Sequence, residues 1–411
     1  MYDVVVIGGG PAGMAAALEA SKTSNKVAII ERLDKLGGIL NQCIHNGFGL
    51  HYFKEELTGP EYAYRFAKEV HENDKIKVYL NTFVTKIEPH KVTIVNADGN
   101  VDLETKSIVL AMGCRERTAG GICLSGSRPV GIYTAGQVQR MVNIYGKMPG
   151  KKVVILGSGD IGLIMARRMT FEGAKVLMVC EIMETSSGLN RNIQQCLNDF
   201  EIPLKLSHTI TKVVGEKRVE GVYVAKVDAS KNIIPETEEF VECDTVILSV
   251  GLIPETDLVS FVPINKITSG AFVDEYRQTN VEGVFSSGNV LHVHDLVDNV
   301  TNESLTAGKY ASDYANNKLD ITGEIEIKNG DSIRYVVPTK AYKNMTNSQN
   351  FDVMFRLSRR IEKSYICAVQ DNQIISKKYV LAGEGNQMQT LKIDKTKILS
   401  QSPIEICVKE G

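Results

Sequence analysis

The chain begins with a stretch that decides its fold, DVVVIGGGPAG at residues 3–13. The first five of these residues form a valine-rich apolar run, which is typical of a buried parallel strand. Three spaced glycines follow the run directly: Gly8, Gly10 and Gly13. In a strand–turn–helix unit, the first glycine permits the tight turn, the second lets the backbone approach a pyrophosphate, and the third allows close helix packing.

The residues after this loop complete a dinucleotide-binding unit. Pro11 suits the first turn of an alanine-rich helix predicted over residues 11–20, whose start offers N–H groups and a positive dipole to phosphates. A second apolar run over residues 27–30 ends at Glu31, and an acid there accepts hydrogen bonds from ribose hydroxyls. Because strand, glycines, helix, strand and acid occur in order, a chance glycine turn does not explain the pattern.

The same plan returns in the middle of the chain. A strand, the loop GSGDIG at residues 157–162, a helix and a second strand follow in order, and the second strand leads to Glu181. Each copy is followed by strand-rich sequence and then by an apolar run that ends in glycine, at Gly113 and at Gly251. Two copies of one dinucleotide-binding unit imply two bound dinucleotides, or one bound dinucleotide and a second copy that no longer binds one.

Composition excludes several other classes of protein. The 411 residues suggest two to three domains, and the formal net charge of −2 gives no basic field for nucleic acid or anionic lipid. No apolar run approaches the ~20 residues that span a bilayer, and the N-terminus does not resemble a signal peptide. The eight cysteines form no Cys-x-x-Cys pair. We therefore expect a cytoplasmic protein with reduced thiols.

These motifs resemble the two-dinucleotide-binding-domain flavoproteins, the superfamily of glutathione and thioredoxin reductases, over residues 2 to about 319. The resemblance implies an α/β fold with two Rossmann-like (glutathione reductase-type) domains, in which an FAD domain is interrupted by an NAD(P) domain. Short alternating strands after that region predict a small C-terminal all-β domain like a β-sandwich. The predicted domains are residues 1–118 with 271–322 for FAD, 119–270 for NAD(P), and 328–411 for the β-domain.

A third motif, NVEGVFSSGN at residues 280–289, resembles the second FAD motif of the family, where Asp usually follows Gly. An amide also donates and accepts hydrogen bonds, so Asn289 is expected to keep that role. The predicted FAD-binding residues are Gly8, Gly10, Pro11, Ala12, Gly13, Glu31, Arg32, Gly38, Ala111, Gly113, Gly288 and Asn289. The predicted nicotinamide-nucleotide residues are Gly157, Gly159, Asp160, Ile161, Gly162, Glu181 and Gly251.

The nicotinamide nucleotide is predicted to be NAD rather than NADP. A carboxylate at Glu181 accepts from both ribose hydroxyls of NAD and repels a 2′-phosphate. NADP enzymes usually place arginine nearby, but residues 182–188 contain none.

Three further segments resemble one bacterial subgroup more closely. GGILNQCIHNGFG at residues 37–49, the stretch from Arg128-Pro129 to Gly136, and the His-x-His-Asp stretch at 292–295 are similar to flavoproteins that accompany glycerol-3-phosphate dehydrogenases, and to the larger subunits of opine oxidases. This resemblance implies that the partner is a glycerol-3-phosphate dehydrogenase or a small redox subunit, and it is compatible with a homo-oligomer. The net charge of −2 predicts no nucleic-acid partner.

The segment also departs from the disulfide reductases, which place a redox cysteine pair after this Gly-Gly. Only Cys43 is present, either as a redox-active thiol or as a small buried side chain. His45 and His294 either donate to the flavin or move protons, or are satisfied polar residues at a domain edge. His292, His294 and Asp295 show no further ligand set, so no metal is predicted.

The sequence therefore predicts an FAD-dependent oxidoreductase that transfers hydride between NADH and flavin, with electrons passing to or from a partner subunit. One alternative is a stand-alone NADH oxidase or a thioredoxin-reductase-like enzyme with Cys43 as a lone redox thiol. An alternative of another class is a non-catalytic flavin-binding scaffold or redox sensor.

Overall fold

The computed structural model describes residues 1–385 and 387–410. The chain divides into two compact units. The first unit contains Met1–Cys114 and Pro254–Gly411, and the second contains Arg115–Ile253. The second unit is therefore inserted into the sequence of the first.

The N-terminal part of the first unit is an α/β layer structure. Its elements are β1 (Tyr2–Ile7), α1 (Pro11–Ser21), β2 (Val27–Ile30), β3 (Asn46–Phe48), β4 (Leu57–Thr58), α2 (Gly59–His71), β5 (Ile76–Tyr79), β6 (Phe83–Glu88), β7 (Lys91–Asn96) and β8 (Gly99–Leu110). Strand β9 (Cys114–Glu116) follows at the point where the chain passes from the first unit to the second. Strands β5, β2, β1 and β8 lie parallel in that order. Strand β7 pairs antiparallel with β8, and β6 pairs antiparallel with β7. The valine-rich run of β1 is buried in the centre of this sheet, as its composition predicts.

The second unit repeats the parallel arrangement. Its elements are β10 (Ile132–Thr134), α3 (Ala135–Asn143), β11 (Lys152–Leu156), α4 (Asp160–Phe171), β12 (Lys175–Glu181), α5 (Asn190–Cys196), β13 (Leu204–Leu206), β14 (His208–Val214), β15 (Gly221–Lys226), β16 (Glu239–Glu242), β17 (Thr245–Leu248) and β18 (Leu252–Pro254). The parallel sheet has the order β10-β17-β11-β12-β13, and β14-β15-β16 form an antiparallel sheet.

The chain then returns to the first unit. The remaining elements are β19 (Val284–Ser286), α6 (Val297–Ala315), β20 (Glu324–Asn329), β21 (Ile333–Val337), β22 (Lys340–Tyr342), β23 (Asn350–Leu357), β24 (Ile361–Gln370), β25 (Gln373–Gly383), β26 (Met388–Asp394) and β27 (Ile404–Glu410). Strand β19 joins the first sheet beside β8. Short 3₁₀ turns occur at Gly38–Gln42, Asn198–Phe200, Pro235–Thr237, Gly288–Val290 and Lys395–Lys397.

The last eight strands form an all-β region with its own apolar core. Five strands pair in the order β22-β20-β27-β24-β25, and three pair in the order β21-β23-β26. Side chains of both sheets, including Ile327, Phe355 and Ile366, share one buried cluster. The α/β fold class with parallel Rossmann-like sheets is confirmed, and the C-terminal region is all-β.

Helix α6 is held close to helix α1 by a glycine. A Cβ added at Gly308 would lie 2.1 Å from the carbonyl oxygen of Ala16, so only glycine fits this contact. The helices therefore pack backbone to backbone. Because α1 starts at the first glycine loop and α6 starts near Gly288, this contact helps to place both segments.

Candidate cofactor sites and the buried Glu303 cluster

The first glycine loop has the shape that a dinucleotide requires. Gly8 adopts a positive φ of 105°, and a Cβ there would meet the carbonyl oxygen of Ala111 at 2.4 Å. A Cβ at Gly13 would meet the carbonyl oxygen of Gly8 at 1.7 Å. At Gly10, by contrast, an added Cβ would lie 3.9 Å from the Cα of Gly38. The first and third glycines are thus required by packing, whereas the second borders open space.

Glu31 ties this loop to the end of β2. Its Oε2 accepts a hydrogen bond from the Gly9 N–H at 2.7 Å, and its Oε1 accepts from the Leu33 N–H at 2.8 Å. The carboxylate is buried. An ionised carboxylate has about four acceptor positions, so these two bonds leave capacity for ribose hydroxyls.

The second glycine loop reproduces this arrangement. Gly157 has a φ of 94°, and a Cβ there would meet the carbonyl oxygen of Ser249 at 2.1 Å. The buried Glu181 accepts through Oε2 from the Ser158 N–H at 2.9 Å and through Oε1 from the Met183 N–H at 3.0 Å. In each copy, the acid therefore accepts one backbone hydrogen bond from the second residue of the glycine loop. It accepts another from the residue two positions after the acid itself.

Asp160 at the start of α4 has structural partners of its own. Its Oδ1 accepts from the Leu189 N–H at 2.8 Å and from the Asn192 side-chain amide at 2.7 Å. It thus holds the start of α5 against α4. In the second unit, Gly162 lies against Ser249, whose hydroxyl accepts its N–H at 3.1 Å.

The second FAD-type motif lies against the first glycine loop. Gly288 has a φ of 71°, and a Cβ there would meet the Cβ of Ala12 at 2.8 Å. The Asn289 Oδ1 accepts the His294 N–H at 3.0 Å, and its amide nitrogen lies 3.6 Å from the sulfur of Cys114. The predicted FAD residues of both motifs are therefore brought together at the ends of β1, β8 and β19.

A buried cluster lies behind this motif and is centred on Glu303 of α6. One carboxylate oxygen accepts from Arg277 Nε at 3.1 Å and from His292 Nε2 at 3.0 Å. The other accepts from the Gly288 N–H at 2.8 Å and from His294 Nε2 at 2.9 Å. Four donors thus match the acceptor capacity of one ionised carboxylate.

The same contacts determine the charges in the cluster. Burial acts to raise the pKa of Glu303, but its electrostatic interactions and hydrogen bonds with His292 and His294 outweigh burial and hold this pKa well below its ordinary value. Burial lowers the pKa of His292 to about 4. Both histidines donate through Nε2, and their Nδ1 atoms have no hydrogen-bond partner in the part of the chain that the structure describes. Arg277 supplies the compensating positive charge.

The cluster also has the composition of a metal site, because ligand atoms of His292, His294 and Glu303 lie within 4.8 Å of one another. A dication there would have to displace Arg277 and the Gly288 N–H from the carboxylate. The arrangement therefore favours a hydrogen-bond network, and the absence of a metal stays a prediction. Asp295, the third member suggested by sequence, instead binds Arg356.

Cys43 and His45 lie in the segment after the 3₁₀ turn. The Cys43 sulfur lies 3.3 Å from the carbonyl oxygen of Ile39, and burial raises the pKa of this thiol to about 12. A thiol in this state is not a nucleophile at neutral pH. His45 is partly buried, with Nδ1 3.0 Å from the carbonyl oxygen of Asn46 and its ring 5.0 Å from that of Phe48.

The structure spreads the predicted residues over two units. Gly8, Gly10, Pro11, Ala12, Gly13, Glu31, Gly38, Ala111, Gly113, Gly288 and Asn289 lie in the first unit, and Gly157, Gly159, Asp160, Ile161, Gly162, Glu181 and Gly251 lie in the second. Arg32 is exposed beside the buried Glu31. These residues fit FAD in the first unit because a side chain at Gly10 would fill the space beside the loop, and the Glu31 carboxylate is bonded to the N–H of the neighbouring Gly9.

Two repeats of this kind define a protein with two dinucleotide-binding folds. Residues 2–306 match the family described as pyridine nucleotide-disulphide oxidoreductases. The chain belongs to this family, whose members are oxidoreductases that bind FAD and use NAD(P)H.

Similarity to individual proteins is more distant. The chain is 26% identical to the NAD(P)H sulfur oxidoreductase (CoA-dependent) of Pyrococcus abyssi, over 72% of this chain and 64% of that protein. It is also 26% identical to one subunit of the opine oxidase of Agrobacterium tumefaciens, over 62% and 54% respectively. The chain thus matches only about half to two thirds of the length of these curated relatives. Thioredoxin reductase of T. acidophilum has a similar fold, with a TM-score of 0.62 and 24% identity over 77% of this chain and 98% of that one.

No helix in residues 1–385 and 387–410 is long and apolar enough to cross a membrane.

Sequence reasoning missed three residues, Glu303, Arg277 and Arg356. Glu303 is a charged residue on the buried face of α6, and its position between the small residues Thr301 and Ser304 is the signal that could have found it. Arg277 and Arg356 lie in segments with no motif of their own.

Proposed function

We propose that this protein is an FAD-dependent oxidoreductase that transfers hydride between NAD(H) and its flavin and exchanges electrons with a partner redox subunit, in glycerol-3-phosphate oxidation. In that reaction the two electrons of the substrate would arrive through the partner and leave as hydride to NAD. The observation that carries the proposal is the repeated loop geometry, in which a buried acid holds each glycine loop. Glu31 would accept from the adenosine ribose of FAD, and Glu181 from the ribose of NADH. Bound FAD supplies the hydride and electron chemistry.

The residues of the chain would bind and orient the two nucleotides. Gly10 and the start of α1 would face the FAD pyrophosphate, and Asn289 would bind the ribityl chain. His294 would act through Asn289, since its own N–H holds the Asn289 side chain and its Nε2 is bonded to Glu303. This geometry favours a positioning role for His294 over proton transfer, one of the two roles that the sequence left open.

Two observations support electron transfer through a partner subunit. Burial raises the pKa of Cys43, which disfavours a thiol relay like that of a disulfide reductase. A relative of similar sequence is named for its place in a multi-subunit enzyme, an opine oxidase. The glycerol-3-phosphate role rests on the resemblance of residues 37–49, 128–136 and 292–295 to that subgroup.

The test mixes the FAD-loaded protein anaerobically with NADH, and separately with NADPH, while the flavin absorbance is followed. We expect rapid bleaching by NADH and much slower bleaching by NADPH. A flavin that stays oxidised with both nucleotides would contradict the proposal. Addition of a glycerol-3-phosphate dehydrogenase and its substrate to the oxidised protein then tests the partner, since transfer would bleach the flavin without any nicotinamide nucleotide.

A further inference from the structure

The short segment from Val293 to Leu296 connects the two elements that frame the proposed FAD site. It follows the Gly288–Val290 turn and ends at the start of α6. On its inner side, His294 donates its N–H to Asn289 and its Nε2–H to Glu303. Its position therefore determines where the Asn289 side chain lies.

The outer side of the same segment is bonded by the C-terminal β-region. Arg356 on β23 donates through Nη2 to the Val293 carbonyl oxygen at 3.0 Å and to Asp295 Oδ1 at 2.5 Å. The Met388 N–H at the start of β26 donates to Asp295 Oδ2 at 2.7 Å. The side chains of Arg356 and Asp295 are only 14% and 22% exposed, so water screens this pair weakly.

Other contacts attach the β-region to the rest of its unit independently. Lys395 forms a buried ion pair with Glu275 at 2.8 Å, and the Tyr342 hydroxyl donates to Asp274 at 3.0 Å. Neither contact involves residues 293–296. Removal of the Arg356 guanidinium is therefore expected to loosen the segment and to leave the β-region attached.

We propose that the C-terminal β-region positions the flavin, with Arg356 as a positioning residue that fixes residues 293–296 and, through His294, the Asn289 amide. This inference rests on the proposed placement of FAD along Gly10, Gly288 and Asn289. It gives the β-region a direct role in the flavin site. A β-region that only covered the protein surface, or only bound a partner subunit, would not have this role.

The test compares Arg356→Met and Arg356→Lys with Arg360→Met, a matched control at an exposed arginine of the same region. The FAD-loaded proteins are diluted, and FAD release is followed by its fluorescence. The two-electron midpoint potential of the bound flavin and the Tm of each variant are also measured. Arg356→Met is expected to release FAD at least tenfold faster than wild type. Lysine lacks the planar guanidinium that donates to two acceptors at once. The FAD release rate of Arg356→Lys is therefore expected to lie between those of wild type and Arg356→Met.

The potential separates positioning from simple loss of stability. If the substitution weakens binding of one redox form of FAD tenfold more than binding of the other, the midpoint potential shifts by about 30 mV. Arg360→Met is expected to match wild type in both readouts. The proposal is overturned if Arg356→Met has the same FAD release rate and midpoint potential as Arg360→Met. If Arg356→Met does not fold, the same comparison is made with Arg356→Lys, and equal values for Arg356→Lys and Arg360→Met overturn the proposal. A wild-type protein that binds no FAD would overturn the proposed function itself, and this inference with it.

Discussion

Acid is expected to destabilise the first unit through His292. Burial lowers the pKa of this histidine to about 4, whereas its ordinary value is 6.5. Between these two pH values the unfolded chain binds a proton that the folded protein does not bind, so stability falls as pH falls. One pKa unit corresponds to about 1.4 kcal/mol, which gives a loss of about 2 kcal/mol between pH 7 and pH 4.5.

Three buried carboxyl groups affect the same measurement. Burial raises the pKa of Glu275, so its contribution to stability rises as pH falls. The pKa of Glu303 is held low, so its contribution is present above its ordinary pKa of 4.5 and is lost only at lower pH. Burial raises the pKa of Asp274 to about 7, so its effect has the opposite sign and stability rises as pH falls. The wild-type pH profile alone therefore does not isolate His292.

The difference between wild type and His292→Gln does isolate it. Glutamine keeps an N–H donor for Glu303 but cannot titrate. Urea unfolding is followed by circular dichroism at pH 7, 5.5 and 4.5. We expect the free energy of unfolding of the variant, relative to wild type, to increase by about 2 kcal/mol from pH 7 to pH 4.5. His71→Gln, at an exposed histidine in the last turn of α2, is expected to show no such change.

Parallel pH profiles for wild type and His292→Gln would refute this reasoning. They would show that His292 binds its proton equally in the folded and unfolded states, which its burial against Glu303 and Arg277 does not permit.

Three further predictions concern the loops and the helices. Glu181→Ala should raise the KM for NADH about tenfold, since the loop loses its anchor, and steady-state kinetics with a redox dye would measure this; an unchanged KM would exclude Glu181 from the site. Gly308→Ala should lower the free energy of unfolding by about 1 to 3 kcal/mol because its Cβ would overlap the Ala16 carbonyl, and a Tm equal to wild type would contradict the packing. Cys43→Ser should leave the rate of flavin reduction by NADH within about twofold in stopped flow, because the thiol is not ionised; a tenfold loss would restore the redox-thiol hypothesis.

The parts of the fold that sequence predicted are those with local causes. The strand, glycine and acid pattern lies within about thirty residues in each copy, and its physical requirements are visible in residue type alone. Gly8 and Gly157 need positive φ and close backbone contact, and no other residue type meets both conditions. Fold class and loop positions could therefore be predicted from residue order.

The Glu303 cluster could not be predicted in the same way. Its members come from a loop, the turn at Gly288, an extended segment and a helix, and only the tertiary fold brings them together. Side chains two residues apart in an extended segment can lie on one face, and the rings of His292 and His294 lie 4.4 Å apart. The sequence offered no reason to choose Glu303 over Asp295 as the partner of these histidines. Asp295 is closer along the chain, but it binds Arg356 instead.

The buried acid at the end of the second strand of each repeat has a consequence for redesign. Glu181 accepts hydrogen bonds from the Ser158 and Met183 N–H groups as well as bordering the proposed ribose site. Loop shape and the proposed coenzyme choice therefore depend on the same carboxylate. An arginine at this position would offer a 2′-phosphate a cation but would leave the buried Ser158 N–H and the Met183 N–H without their acceptor. A variant selective for NADP needs a second substitution that supplies that acceptor, and screening position 181 alone would discard good phosphate binders as unstable loops.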